Sequence, residues 1–184
     1  MVQTEFSHGA GGIWYIGPGR AGTTRLGNGQ YTMTTASGQP FARSPDGFQP
    51  LGTGEVQATV QLAGAGRAGV MGRWSTTADG QVSMYALWIA NDGSYGLTKW
   101  QQGSSTELLP SRVSPLVQPT GENELVLRTQ GGQLTGWING RLVFDRDDSS
   151  PLPAGAWGLY VISDLSNGPM SAQFSRVTIY HKNS

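Results

Sequence analysis

Acidic side chains are the first residues to test for chemistry here. Glu55, Glu107, Glu124 and Asp145 fall in segments that alternate as β-strands. A retaining glycosidase needs two carboxyl groups about 5–5.5 Å apart, on neighbouring strands or at i, i+2 or i+4 of one strand. No two of these four acids share a strand at such a spacing. Glu122 and Glu124 are two apart, but Glu122 falls in the turn TGEN. A cross-strand acid pair stays open. A Ser–His–Asp relay would have to use His8 or His181, near opposite ends of the chain. Chain ends fray, so neither is expected to be catalytic. No catalytic residue is assigned.

Metal and cofactor chemistry fare no better. Asp145, Asp147 and Asp148 form a DRDD run that could offer oxygen ligands to calcium. Calcium takes roughly six to eight ligands, and Arg146 amid the acids opposes a cation. A solvated loop is the favoured reading, and no metal is expected. The chain has no cysteine, hence no thiolate site and no disulfide framework. Two stretches match G-x-G-x-x-G, GPGRAG at 17–22 and GAGRAG at 64–69. A dinucleotide fingerprint needs a helix after the glycines to receive the pyrophosphate. VMGRWS after the second reads as another strand, so both are glycine-rich hairpin loops with Arg20 and Arg67 at solvated tips. No cofactor is expected.

Binding chemistry is better represented, by indoles. In 82–90, Tyr85, Leu87 and Ile89 share one face and Met84, Ala86 and Trp88 the other. In 94–101, Tyr95 and Leu97 oppose Gly96, Thr98 and Trp100. In 133–139, Leu134, Gly136 and Ile138 oppose Thr135, Trp137 and Asn139. If the aliphatic sets are core, Trp88, Trp100 and Trp137 point outward. Arg73 then does likewise, opposite Val70, Gly72 and Trp74. Exposed indoles make flat platforms for sugar rings, with Arg73 and Thr98 as hydrogen-bond donors. Against this, Trp is usually well buried, and both faces of 82–90 are apolar enough to be core.

Hairpins position these residues. Asn28-Gly29, Asp79-Gly80, Asp92-Gly93, Gly131-Gly132 and Asn139-Gly140 are two-residue turns beside strand-like runs. Type I′ turns need positive φ at both central residues, which Asn, Asp and Gly tolerate best. The spacing predicts strands at 13–17, 23–26, 30–36, 54–63, 68–75, 82–90, 94–101, 105–109, 123–130, 133–139, 141–145, 156–163 and 170–181. Three Pro-containing stretches, 39–52, 108–121 and 149–155, read as loops, the first with room for a short strand. In 54–63, Val56, Ala58, Val60 and Leu62 form the buried face. In 170–181, Met170 and Phe174 lie on one parity and Val177 and Ile179 on the other, which predicts a bulge near Ser175. So many strands suggest two packed antiparallel sheets or a barrel.

Composition sets further limits. The 184 residues fit one all-β domain, 1–184. Formal net charge is zero and only 13% of residues are charged, so nucleic acid is not an expected partner. The longest apolar run, YALWIA, is far too short to insert in a membrane as a helix. The N-terminal MVQTEFSHGAGG has no signal-peptide pattern. The compartment stays open, an excised extracellular domain included.

One resemblance adds to this. GVMGRW (69–74), YALWIANDGSYGLTKW (85–100), ENELVLRTQGGQLTGWINGRLVF (122–144), AWGLYV (156–161) and FSRVTIY (174–180) follow in an order similar to that of concanavalin A-like lectin/glucanase sandwiches. More narrowly they resemble bacterial laminin-G-like and 3-keto-disaccharide hydrolase-like domains. The resemblance implies a two-sheet antiparallel jelly roll with a concave face that holds carbohydrate in many relatives. It does not carry over hydrolysis, because the glucanase E-x-D-x-x-E strand is missing. The expected role is a non-catalytic binding or adhesion module, with a glycan or protein ligand. The alternatives are a structural or protein-interaction domain, and a glycoside hydrolase or lyase with an unrecognised acid pair. Almost no segment keeps a 3.6-residue period, so far-UV circular dichroism should be dominated by β signal. A helix content near ~30% would contradict this.

Overall fold

Alternation of small, branched and aromatic residues drives nearly every segment into extended structure. The computed structural model describes residues 1–6, 11–164 and 168–181. Its strands are β1 (Val2–Glu5), β2 (Gly17–Pro18), β3 (Thr23–Gly27), β4 (Gln30–Thr35), β5 (Phe41–Arg43), β6 (Gly54–Leu62), β7 (Gly66–Thr76) and β8 (Val82–Ala90). They continue as β9 (Ser94–Gln101), β10 (Ser104–Val113), β11 (Glu122–Gln130), β12 (Gln133–Ile138), β13 (Arg141–Asp147), β14 (Ala156–Ser163) and β15 (Met170–His181). One sheet has nine strands in the order β13-β12-β11-β6-β15-β4-β3-β2, with β1 beside the far end of β15. The other has six, β10-β9-β8-β7-β14-β5. All pairings in both are antiparallel. His8 lies outside the described residues, and of His181 only the backbone, paired with Gly54, is described.

The facing rules hold where alternation is clean. Val56, Ala58, Val60 and Leu62 all point into the core, against Val70, Leu87, Leu97 and Leu159 of the other sheet. The register of β15 against β6 slips between Phe174 and Arg176, so Phe174 and Val177 both reach the interior. That is the bulge expected near Ser175. Asn28-Gly29 and Asn139-Gly140 have positive φ at both residues (53° and 72°; 50° and 74°). Asp79-Gly80 and Asp92-Gly93 differ: only the glycines are positive, at 84° and 81°. Asp92 instead accepts a hydrogen bond from the Ser94 amide, fixing a different tight turn. Gln102-Gly103 (49°, 80°) is a further doubly positive turn, between β9 and β10.

The strands differ from the spacing-based expectation in three places. The segment 13–17 is not a strand; a single 3-10 turn covers Gly11–Ile13 and pairing starts at Gly17. Trp14 turns inward there, near Phe6 and Tyr31, with its indole N–H donating to Thr4. β1 was not expected, and β5 is the short strand inside 39–52. β10 runs through Pro110 rather than stopping before it, because it is an edge strand whose outer side needs no N–H.

One end of the sandwich is closed by a polar cluster. β7 carries an extra residue opposite β8, between the pairs Gly72–Tyr85 and Ser75–Ser83. Arg73 sits in this bulge at φ 55° and turns inward instead of outward. Its guanidinium donates to the carbonyls of Leu152 (2.7 Å), Gly131 (2.6 Å) and Gly52. Beside it, Lys99 Nζ bonds Asp148 Oδ2 (2.7 Å) and the Ser150 carbonyl (2.5 Å). The Tyr85 hydroxyl donates to Asp148 (2.5 Å) and accepts from the Leu152 amide (2.9 Å). Asp148 is therefore an anchor for the β13–β14 connection, while Asp145 accepts from Gln133. Among the described residues no three His, Asp or Glu side chains gather as metal ligands.

Burial pushes the Asp148 carboxyl up, but hydrogen bonds from Lys99 and Tyr85 outweigh it and hold the group below the usual carboxylate range. A carboxyl depressed by folding stabilises the fold above its unfolded pKa of ~4 and loses that contribution as pH falls through the folded value. Asp148→Asn should therefore cost ~3–5 kcal/mol near pH 7, because Lys99 loses its buried partner. It should also flatten the fall in stability below about pH 4. Denaturant melts at pH 7 and pH 3 check this. A variant that matches wild type at both would contradict the anchoring role.

Candidate functional site

The outer face of the six-stranded sheet is built from rows in which large residues alternate with glycine. Cross-strand register places Tyr160, Gly69, Trp88 and Gly96 side by side. The Trp88 indole lies across Gly96, where an added Cβ would come within 2.5 Å of the ring. Its N–H donates to the Thr98 hydroxyl at 3.0 Å. The Arg67 guanidinium sits 4.0 Å from the ring centroid, and Glu107 of β10 lies 3.9 Å from Arg67. Trp88 thus has the predicted facing but not the predicted exposure: it is 1% exposed. Thr98, at 5%, serves the indole, and Arg67 is half-buried rather than a solvated tip.

Arg73 is corrected outright. It is 4% exposed and points into the sandwich, because the bulge reverses its parity. The same bulge sends Trp74 to the outer face, where it packs with Met84, Val82 and Trp100. Trp100 is half-buried there, in the same apolar cluster as Trp88. Trp137 is not brought to them. It stands on the outer face of the nine-stranded sheet, 4.9 Å from the Arg128 guanidinium, which pairs with Glu55 at 2.5 Å. Trp137 and the exposed Leu142 border a shallow hollow of about 320 Å³.

A groove opens beside Trp74. It has two compartments of about 510 and 490 Å³, and both are lined by Arg20, Arg43 and Trp74. Tyr15, Ser44 and Asp46 border the first; Gln39, Gln81 and Trp100 border the second. The turn after β2 carries Arg20, whose guanidinium rests against Gly80 of the β7–β8 turn. Arg43, on the edge strand β5, is 4.3 Å from the Phe41 ring and 5.1 Å from the Tyr15 ring. Among the described residues, four buried side-chain polar atoms have no hydrogen-bond partner. Arg73 Nε is one. The other three, Arg43 Nε, Ser44 Oγ and Trp74 Nε1, belong to residues lining the first compartment. Buried polar groups are almost always satisfied, and these three atoms sit closed off from solvent beneath the groove wall, while the Arg20 and Arg43 side chains border the groove itself.

Sequence reasoning missed Trp74, Arg20, Arg43 and Ser44. Parity assigned Trp74 to the core, and nothing in GVMGRW signals a bulge at Arg73. Arg20 was visible at a glycine-rich loop tip, but not that the loop folds across to the other sheet.

Glu122 begins β11 rather than lying in a turn, so it and Glu124 share one face of that strand two residues apart. Glu55, Glu122 and Glu124 lie on β6 and β11 of the nine-stranded sheet, with Arg128, Ser175 and Gln57 as respective partners. Glu107 is on the six-stranded sheet with Arg67. At the groove, Asp79 accepts from Thr77 and Gln81.

No protein-family model and no curated protein matches the sequence. Solved structures do resemble it. The carbohydrate-binding module CBM66 from Bacillus subtilis is 17% identical, with TM-score 0.59, over 97% of this chain and 95% of that one. The β-glucanase of Bacillus licheniformis is 10% identical, with TM-score 0.69, over 99% and 98%. The Emp46p carbohydrate recognition domain in its potassium-bound form is 11% identical, with TM-score 0.67, over 97% and 93%. The likeness is one of fold: the chain is an all-β, two-sheet jelly-roll sandwich of the concanavalin A-like kind.

Proposed function

We propose that this chain is a non-catalytic carbohydrate-binding module whose ligand lies along the Trp74–Trp100 groove. The observation that carries the reading is the meeting of two half-buried indoles with the Arg20 and Arg43 guanidinium groups at one groove. Indoles offer sugar rings a flat apolar face, and convergent polar groups fix orientation. The names of a carbohydrate-binding module and a lectin domain among the structural neighbours support it. The glucanase neighbours keep a hydrolase as the second reading. Against it, Glu107 and Asp79 on this side already serve Arg67 and the Thr77–Gln81 turn.

A glycan array run with wild type, Trp74→Ala, Trp100→Ala and Trp137→Ala tests the reading. Wild type should bind a defined glycan class. The Trp74 and Trp100 variants should stay folded and bind at least about tenfold more weakly, or ~1.4 kcal/mol each, with Trp137→Ala unchanged. Trp88→Ala should instead lose ~3–5 kcal/mol of stability, as a core indole does. No binding to any glycan, or loss only with Trp137→Ala, would overturn the assignment. Release of reducing sugar from a bound glycan would favour the hydrolase.

A further inference from the structure

We infer that the groove selects a carboxylate-bearing sugar held between Arg20 and Arg43, an inference that rests on the carbohydrate-binding reading above. The groove has a surplus of donors. Guanidinium and indole N–H groups donate and never accept. Arg43 Nε and Trp74 Nε1 are closed off from solvent, so the donors offered to a ligand are those of the Arg20 guanidinium and the outer end of Arg43. Arg43 Nη1 donates to its neighbour's carbonyl, that of Ala42, at 3.1 Å, and the guanidinium also lies against the Tyr31 hydroxyl. Arg20 is exposed. Among the described residues neither guanidinium has a carboxylate within 4.0 Å. Asp46 and Asp79 line the groove without pairing to either arginine, and Asp79 is already engaged by Thr77 and Gln81.

A neutral hydroxyl brings one donor with its two acceptor lone pairs and no charge, so it offsets less of this surplus. An ionised carboxylate only accepts, at roughly four lone-pair sites, and matches the planar fork of a guanidinium. Arg43 is suited to the task because the Phe41 and Tyr15 rings hold its plane, so little rotamer freedom remains to be lost. Trp74, bordering the same compartment, offers the ring surface on which the rest of the sugar would stack.

The test uses the full chain and matched probes: oligogalacturonate, alginate oligomers and hyaluronan oligomers, each beside its carboxyl-reduced neutral counterpart, in titration calorimetry. At least one acidic oligomer should bind tenfold or more tightly than its reduced form, and the preference should shrink between 50 and 500 mM salt. Arg43→Gln and Arg20→Gln should each erase most of the preference, while Arg25→Gln, on exposed β3 away from the groove, should not. Equal affinity for acidic and reduced forms, or binding only of neutral glycans with loss in Trp74→Ala, would overturn the carboxylate inference and leave the binding reading intact. Absence of binding to every acidic and neutral probe would overturn both.

Discussion

The groove and the closed end of the sandwich both depend on one extra residue in β7. Arg73 adopts φ 55°, a left-handed conformation that costs a non-glycine residue ~1–2 kcal/mol. Three carbonyl hydrogen bonds offset it, and they tie together the chain before β6, the β11–β12 turn and the β13–β14 connection. The bulge reverses parity within two residues, so Arg73 goes in and Trp74 goes out. Gly155 completes the fit: a Cβ there would meet the Arg73 and Trp74 carbonyl groups at 2.5–2.7 Å. Arg73, Lys99 and Asp148 together bring two cations and one carboxylate under cover. Carbonyl dipoles, not a second acid, face the remaining charge. A leucine could fill the volume at 73 but could not draw the three connections together.

How much of this was legible depends on the kind of order involved. Hairpins at Asn28-Gly29 and Asn139-Gly140, the core face of β6 and the bulge in β15 all follow from local chemistry or simple periodicity. In β15 two hydrophobic sets on opposite parities advertise the bulge. In β7 every residue from Ala68 to Gly72 is small or apolar on both faces, so a reversal at Arg73 leaves no trace in the pattern. The facing of Trp88 and Trp100 was right, because β8 and β9 are regular. The exposure of Trp88 was wrong, because facing outward does not mean meeting water. Gly96 lets the indole lie flat, and Arg67, a distant loop residue in the reading of GAGRAG, covers it.

The same limit applies to the groove. Its walls come from the turn after β2, the edge strand β5 and the β7–β8 turn, which are far apart in the chain. Only the edge-to-edge placement of the two sheets brings Arg20 over Gly80 and beside Trp74. What the fold contributes is the six-stranded sheet whose edge strand β5 and bulged strand β7 border the groove. What this chain adds is a donor-rich rim with two aromatic flanks.

The β7 bulge delivers Trp74 to the groove it shares with Trp100, where the proposed ligand would lie. The six indole N–H groups can be followed separately in a proton–nitrogen correlation spectrum. Titration with a glycan found to bind should move the Trp74 resonance most and Trp100 with it. Trp14 and Trp157, inside the sandwich, should stay in place. A titration that moves Trp137 and leaves Trp74 unchanged would place the ligand on the other sheet and contradict the account.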